Sequence, residues 1–229
     1  MNTAVKRAPW LLLLACCGVL ASPPQRVALQ YDMSRNGSVM AEVSEILEHD
    51  GKTYRLSSEV HGKGIYALAG VLKRSSSGRI DATGLQPAEF RDQRGSRAPV
   101  TAKFDWTRRV VLQESDGKAE SLAMPAAAHD PLSMAYTFSF VWLPGKEIRV
   151  TRADGKGLTP FRFAVLGVEK LQTPLGELQA LHIAKERDGP EDKSTDIWLA
   201  SDRNLLPIRI LVVEKDGTRI DQVVTRIGS

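Results

Sequence analysis

Cysteine is almost missing from this sequence. Of its 229 residues only Cys16 and Cys17 are cysteines, and both stand close to the N-terminus. A chain that loses its first 21 residues has none, which removes disulfides, thiol catalysis and cysteine-held zinc together. Histidine is scarce as well. His49, His61, His129 and His182 form no i, i+3 or i, i+4 pair and no HExxH, so a helix-borne metal pair is excluded. GxSxG and GxxxxGK[ST] are absent, and Gly155-Lys156-Gly157 reads as a hairpin turn rather than a phosphate loop. No five like charges stand in a row, so neither a nucleic-acid patch nor a headgroup-binding run is present. Long repeats and low-complexity segments are lacking too, and no linker divides the chain. No apolar run reaches the roughly 20 residues of a spanning helix.

What is present begins with an export signal. Lys6 and Arg7 form a short positive region, Trp10 to Leu20 is apolar, and Val19-Leu20-Ala21 offers small or slim side chains where a signal peptidase reads. Two processing routes fit. Cleavage after Ala21 releases a soluble chain into the periplasm. Leu13-Leu14-Ala15-Cys16 also resembles a lipobox, whose cysteine is acylated, and lipidation at Cys16 would leave a membrane-anchored lipoprotein. Residues 1–21 are thus read as signal peptide and 22–229 as one β-rich domain. Of the net charge of +4, two units belong to Lys6 and Arg7. The mature part carries 29 basic and 27 acidic residues, a spread of charge that serves solubility.

The mature chain reads as strands broken by tight turns. Asn36-Gly37, Asp50-Gly51, Ser77-Gly78, Asp116-Gly117, Asp154-Gly155 and Asp216-Gly217 supply the positive φ that two-residue hairpins need. Tyr54, Leu56 and Val60 alternate with Arg55, Ser57 and Glu59. Ala102, Phe104 and Trp106 alternate with polar neighbours, as do Phe161, Phe163 and Val165 with Arg162 and Ala164. Further strands are expected near 26–33, 38–48, 86–93, 109–114, 118–123, 146–152, 175–187, 194–200, 205–214 and 218–226. Many strands with short connections imply a mainly all-β fold, a large antiparallel up-and-down sheet closed or half-closed into a barrel. One helix is expected near 130–142. Asp130 caps it, Pro131 suits its first position, and Leu132, Ala135, Tyr136 and Phe140 share a face. It would pack across the sheet or plug the barrel. A weaker helical candidate is Ile65 to Lys73.

The catalytic constellations are thin. His129, Asp130 and Ser133 invite a triad, yet capping explains Asp130 and Ser133 falls in the first helical turn. His182 shares a strand face with Leu178 and Ala180, a wall position. The aromatic group is the more interesting one. Phe104, Trp106, Tyr136, Phe140, Trp142, Phe161, Phe163 and Trp198 would fill the core, or, if the sheet closes only in part, line a concave apolar surface.

Six segments in order carry a family resemblance: Ser77-Gly78 with Gly84-Leu85-Gln86-Pro87; Phe104-Asp105-Trp106; Asp130-Pro131-Leu132-Ser133 with Tyr136; Glu169 to Gly176; Ile197 to Asp202; and Leu206-Pro207-Ile208-Arg209. They span nearly the whole mature chain, which thereby resembles the bacterial exported proteins grouped as domain-of-unknown-function family 3108. The resemblance implies a β-rich envelope protein and no established activity. The sheet-plus-helix shape is also similar to the half-barrels of lipoprotein carriers and their outer-membrane receptors, a likeness of shape that does not decide function. The expected function is a non-catalytic binding or assembly module holding an apolar ligand, such as a lipid, or a segment of an envelope protein. Phe104, Trp106, Tyr136, Phe140, Phe161, Phe163 and Trp198 would be its contacts. No cofactor, metal or nucleic acid is expected, and a membrane only through Cys16. The alternatives are an envelope hydrolase or glycan-modifying enzyme using acidic residues and His182, or a purely structural interaction protein.

Overall fold

The computed structural model describes residues 23–141, 145–187, 189 and 192–228. The segment read as an export signal, with Cys16 and Ala21, and Trp142 lie outside the described residues. Fifteen strands form one sheet. In chain order they are β1 (Arg26–Arg35), β2 (Ser38–His49), β3 (Thr53–Gly62), β4 (Leu72–Asp81), β5 (Gly84–Arg94), β6 (Val100–Asp105), β7 (Val110–Ser115) and β8 (Lys118–Ala123). Then follow β9 (Ala128–His129), β10 (Glu147–Ala153), β11 (Leu158–Thr173), β12 (Gly176–Lys185), β13 (Ser194–Ala200), β14 (Leu206–Val213) and β15 (Arg219–Gly228). A helix, α1 (Pro131–Tyr136), follows β9 and continues as a 3-10 turn over Thr137–Ser139.

Sequential strands pair throughout except β8 and β9, and β1 also pairs with β15, which joins the two arms of the sheet at its middle. The edges are β8 and β9, which are consecutive in the chain. Residues 124–127 connect them, and so short a segment spans at most about 18 Å. The sheet therefore curls until its edges face each other without closing. Loop packing seals part of the seam. Gln113 Nε2 on β7 donates to Gly157 O at 3.0 Å, and the β10–β11 turn leans on β6. Only glycine permits that contact, because a Cβ at Gly155 would lie 2.2 Å from Val100 Cγ1 at a φ of +84°.

α1 occupies the interior. Asp130 caps it by accepting from Leu132 N at 2.8 Å and Ser133 N at 2.9 Å, while Ser133 Oγ accepts from Asp130 N at 3.0 Å. Leu132, Ala135 and Tyr136 join one apolar cluster with Leu29, Leu47, Leu56, Phe90 and Phe104. Met134 and Phe138 join a second with Phe161, Phe163, Ile183, Ile197 and Leu199. The helix thus bridges the two arms of the sheet, and because it meets wall on every side it needs no polar face.

Three expectations change. The helix is shorter than 130–142, ending as a 3-10 turn at Ser139. Ser77-Gly78 is not a hairpin: it lies inside β4, where the register with β5 shifts and a Cβ at Gly78 would meet Gln86 O at 2.1 Å. The candidate helix at 65–73 is a 3-10 turn over Gly64–Ala69, after which Leu72 and Lys73 open β4.

Candidate functional site

Strand register builds the interior from alternating belts. Glu45, Ser58, Arg74 and Asp92 stand opposite one another across β2 to β5, and the next row along the barrel is Leu47, Leu56, Ser76 and Phe90. The first row is a polar belt that runs from the deep interior to one open end. At its inner end Glu45 is buried, accepting from Tyr136 OH at 2.7 Å and Ser58 Oγ at 3.2 Å. Burial pushes its carboxyl above the ordinary range, against those hydrogen bonds and the Arg74 charge. At the outer end Arg74 pairs with Asp92 at 2.8 Å.

A second buried polar group surrounds the helix start. Ser76 Oγ donates to Asp130 Oδ2 at 2.6 Å and lies 2.9 Å from Tyr54 OH. With the Ser76 proton on Asp130, the Tyr54 hydroxyl is the donor to Ser76. Burial raises the Asp130 carboxyl above its usual range in spite of the three hydrogen bonds it accepts from Ser76, Leu132 and Ser133. His129 beside it is buried, with no partner for Nδ1, and desolvation lowers its pKa from 6.5 to about 4. The unfolded chain therefore takes up this proton first, near pH 6.5, and the folded one only near pH 4. Stability contributed by His129 is present at neutral pH and lost as pH falls from 6.5 to 4, by about 3 kcal/mol at most. Glu45 and Asp130, both raised, act in the opposite sense. Urea titrations of wild type and His129→Leu at pH 7 and pH 4.5 should show a stability difference that shrinks or reverses at the lower pH; an unchanged difference would refute the desolvated imidazole.

Beyond Pro131 the barrel opens into a cavity of about 840 Å³. Its place follows from its walls, which are strand ends and turns: Arg94 to Val100, Ser115-Asp116, Arg152 to Lys156, Lys193 and Glu214. Met33, Phe90, Pro131, Ile210, Val212 and Ile220 supply its apolar lining. Six basic and four acidic side chains line it as well. Three pairs neutralise one another: Arg74 with Asp92, Arg152 with Asp154 at 3.2 Å, and Lys193 with Glu214 at 2.6 Å. Among the described residues Arg94, Arg97 and Lys156 pair with no carboxylate. Two buried donors in the wall, Arg152 Nε and Gln222 Nε2, have no acceptor. Apolar and charged side chains thus share the lining, with two more cations than carboxylates and, among the described residues, Asp116 as the carboxylate outside these pairs, so the cavity suits a molecule with an apolar body and an anionic head.

The seven aromatic residues read from the sequence lie elsewhere. Phe104, Tyr136, Phe161, Phe163 and Trp198 are buried in the two apolar clusters, and Trp106 and Phe140 pack partly buried against the first. None of the seven lines the cavity. Trp106 Nε1 donates to Pro87 O at 2.7 Å, and Phe140 meets the His49 ring edge-on at 5.0 Å at the end opposite the cavity. The cavity residues come from turns of several strands, and only tertiary structure assembles them. Their signal in the sequence is charge flanking the turn dipeptides, as in Asp154-Gly155-Lys156.

His182 sits half-buried on β12 between two carboxylates, with Nε2 2.9 Å from Asp196 and Nδ1 3.4 Å from Glu169. Its ring stacks on Trp198 at 4.3 Å, and Arg209 lies over the same indole at 4.6 Å while pairing with Asp221. Both ring nitrogens face side chains of the protein. His129 and Ser133 share no hydrogen bond, and Ser133 Oγ is engaged by the Asp130 backbone, so these residues form a cap rather than a triad.

Comparison with solved structures gives likenesses of shape. A β-barrel-like protein of domain of unknown function DUF1849 from Brucella abortus is 10% identical, with 88% of this chain and 96% of that one covered at a TM-score of 0.57. A candidate exported protein with a YmcC-like fold from Bacteroides fragilis is 9% identical, covering 91% and 98%, at 0.42. A candidate lipoprotein from Parabacteroides distasonis is 10% identical, covering 91% and 98%, at 0.39. The first shares the fold, and at such identity the likeness shows the fold alone; the scores of the other two are too low to bear on function. The search of curated proteins finds no match. The family model for proteins of unknown function DUF3108 matches residues 30–224, nearly the whole described chain, and the chain belongs to that family.

Proposed function

We propose that this chain is an exported, non-catalytic binding protein of the cell envelope, and that its open barrel holds one amphiphile with an anionic head. The observation that carries the reading is the cavity itself, which sets an apolar strip of Met33, Phe90, Ile210, Val212 and Ile220 beside a net excess of cations, with Arg94, Arg97 and Lys156 outside any ion pair among the described residues. The head would meet these cations, and the apolar part would lie along Phe90, Met33 and Ile210. The volume, within the usual 300–1,000 Å³ of ligand sites, suits one small lipid-like molecule. The amino-terminal signal pattern supports an envelope location. The hydrolase alternative draws little support from His182, because carboxylates occupy both of its nitrogens.

Calorimetric titration with lysophosphatidylglycerol and lysophosphatidylcholine, below their micelle concentrations, tests the reading. The anionic lipid should bind once per chain and the zwitterionic one more weakly. Arg94→Glu/Arg97→Glu should weaken the anionic ligand about tenfold or more. Equal affinity for both lipids, untouched by the charge reversal, would refute a cationic head site.

A further inference from the structure

Between β3 and β4 the chain runs Gly64-Ile65-Tyr66-Ala67-Leu68-Ala69-Gly70 and turns its apolar side chains outward. None of its helical residues is buried; Ile65 is 77% exposed, Leu68 89% and Tyr66 40%. Isolated exposed leucines need no explanation, but five consecutive apolar residues at a turn tip do.

The turn is held in that shape. Lys63 N donates to Met40 O, Lys63 Nζ pairs with Glu42 at 2.9 Å, and Gly70 N returns to Ala67 O at 3.1 Å. At Gly62 the turn folds back so closely that a Cβ would meet Tyr66 O at 2.4 Å. Its position is equally defined. Gly95 N donates to Val71 O at 2.9 Å, and Gly70 packs against Gly95. Arg94 and Arg97 flank that contact, so the apolar tip stands beside the unpaired cations of the cavity rim.

An apolar tip flanked by basic side chains has the chemistry of a segment that enters an anionic lipid interface: the apolar groups leave water and the cations meet headgroups. A protein groove could take the same apolar residues. Two things favour lipid: the adjoining cations complement anionic headgroups, and the tip and the cavity share one end of the barrel.

We propose that Ile65, Tyr66 and Leu68 dock the protein on an anionic lipid surface, with Arg94 and Arg97 against the headgroups and the cavity mouth brought to the bilayer. This use of the turn rests on the reading of the cavity as an amphiphile site, and extends it to where the amphiphile is exchanged. It gives the domain a membrane contact that does not depend on a lipid at Cys16.

Flotation of the purified protein with vesicles of phosphatidylethanolamine and phosphatidylglycerol, and with vesicles of phosphatidylcholine alone, tests this. The protein should float with the anionic vesicles, less so as salt rises, and little with the neutral ones. Ile65→Asp/Leu68→Asp should lose vesicle binding by about tenfold or more, because each exposed apolar group then fails to enter the interface. The same variant should bind soluble lysophosphatidylglycerol as wild type does, since neither residue lines the cavity. Wild type that binds the soluble lipid but floats with neither vesicle would overturn the docking and leave the cavity reading standing. Vesicle binding without soluble-lipid binding would support docking and sink the cavity reading. Sedimentation showing a wild-type dimer that Ile65→Asp/Leu68→Asp dissociates would overturn docking in favour of a second copy of the chain on the turn.

Discussion

Asp130→Ala is expected to lower the unfolding free energy by about 3–5 kcal/mol, the upper end of what single substitutions cost. Two effects add. The backbone N–H groups of Leu132 and Ser133 lose their acceptor in the barrel interior, where water does not replace it. Ser76 Oγ, and Tyr54 OH behind it, lose the group that orients them. Asp130→Asn keeps the shape and one accepting oxygen, and since burial already favours the neutral carboxyl, it should cost only about 1–2 kcal/mol. Urea unfolding of both variants separates the cases. Equal, small losses would mean that α1 is held by its apolar contacts alone.

Trp198→Ala is expected to cost a similar 3–5 kcal/mol. Trp198 is buried to 6% exposure, stacks on His182, lies under Arg209, and its Nε1 donates to Glu169 at 2.5 Å. Removing it opens a hole between His182, Arg209 and Glu169, one side chain on each of three further strands. Trp198→Phe refills most of the volume and loses the hydrogen bond to Glu169, so a loss of about 1–2 kcal/mol is expected. Neither change touches the cavity lining, so lysophosphatidylglycerol affinity of Trp198→Phe should match wild type. A stable Trp198→Phe protein with greatly weakened binding would return Trp198 to the ligand site.

The sequence showed most of the sheet because alternation is loud where one face is apolar, as in Tyr54-Leu56-Val60 or Phe161-Phe163-Val165. It hid β4 for a physical reason. That strand turns Arg74 and Ser76 inward, toward Asp92 and Asp130, so its buried face is polar and leaves no apolar period. β9 is two residues long, too short for any period to register. β13 confuses alternation differently: Ile197 and Leu199 face one cluster and Trp198 and Ala200 the other, so both faces are covered. The helix was legible through its cap, which is local. The cavity was not, because Arg94, Lys156, Ile210 and Gln222 come together only when the β1–β15 pairing joins the two arms. Aromatic residues drew attention as a ligand surface, yet rings are what a curled sheet uses to fill itself.

The polar belt ties these features together. Glu45, Ser58, Arg74 and Asp92 carry hydrogen-bonding groups from the buried Tyr136 hydroxyl out to the cavity wall, along one row of the sheet. A ligand head that competes with Asp92 for Arg74 would thus be felt at Glu45, whose ionisation the Arg74 charge favours.

The most direct measurement is a titration of isotope-labelled protein with lysophosphatidylglycerol, followed by amide and methyl NMR shifts. Saturable, one-to-one shifts are expected at the Met33, Ile210 and Ile220 methyls and at the Arg94–Ala98 amides, with the Ile183 and Ile197 methyls still. Shifts centred instead on Ile183 and Ile197, or no saturable shifts at all, would contradict an amphiphile held in the cavity.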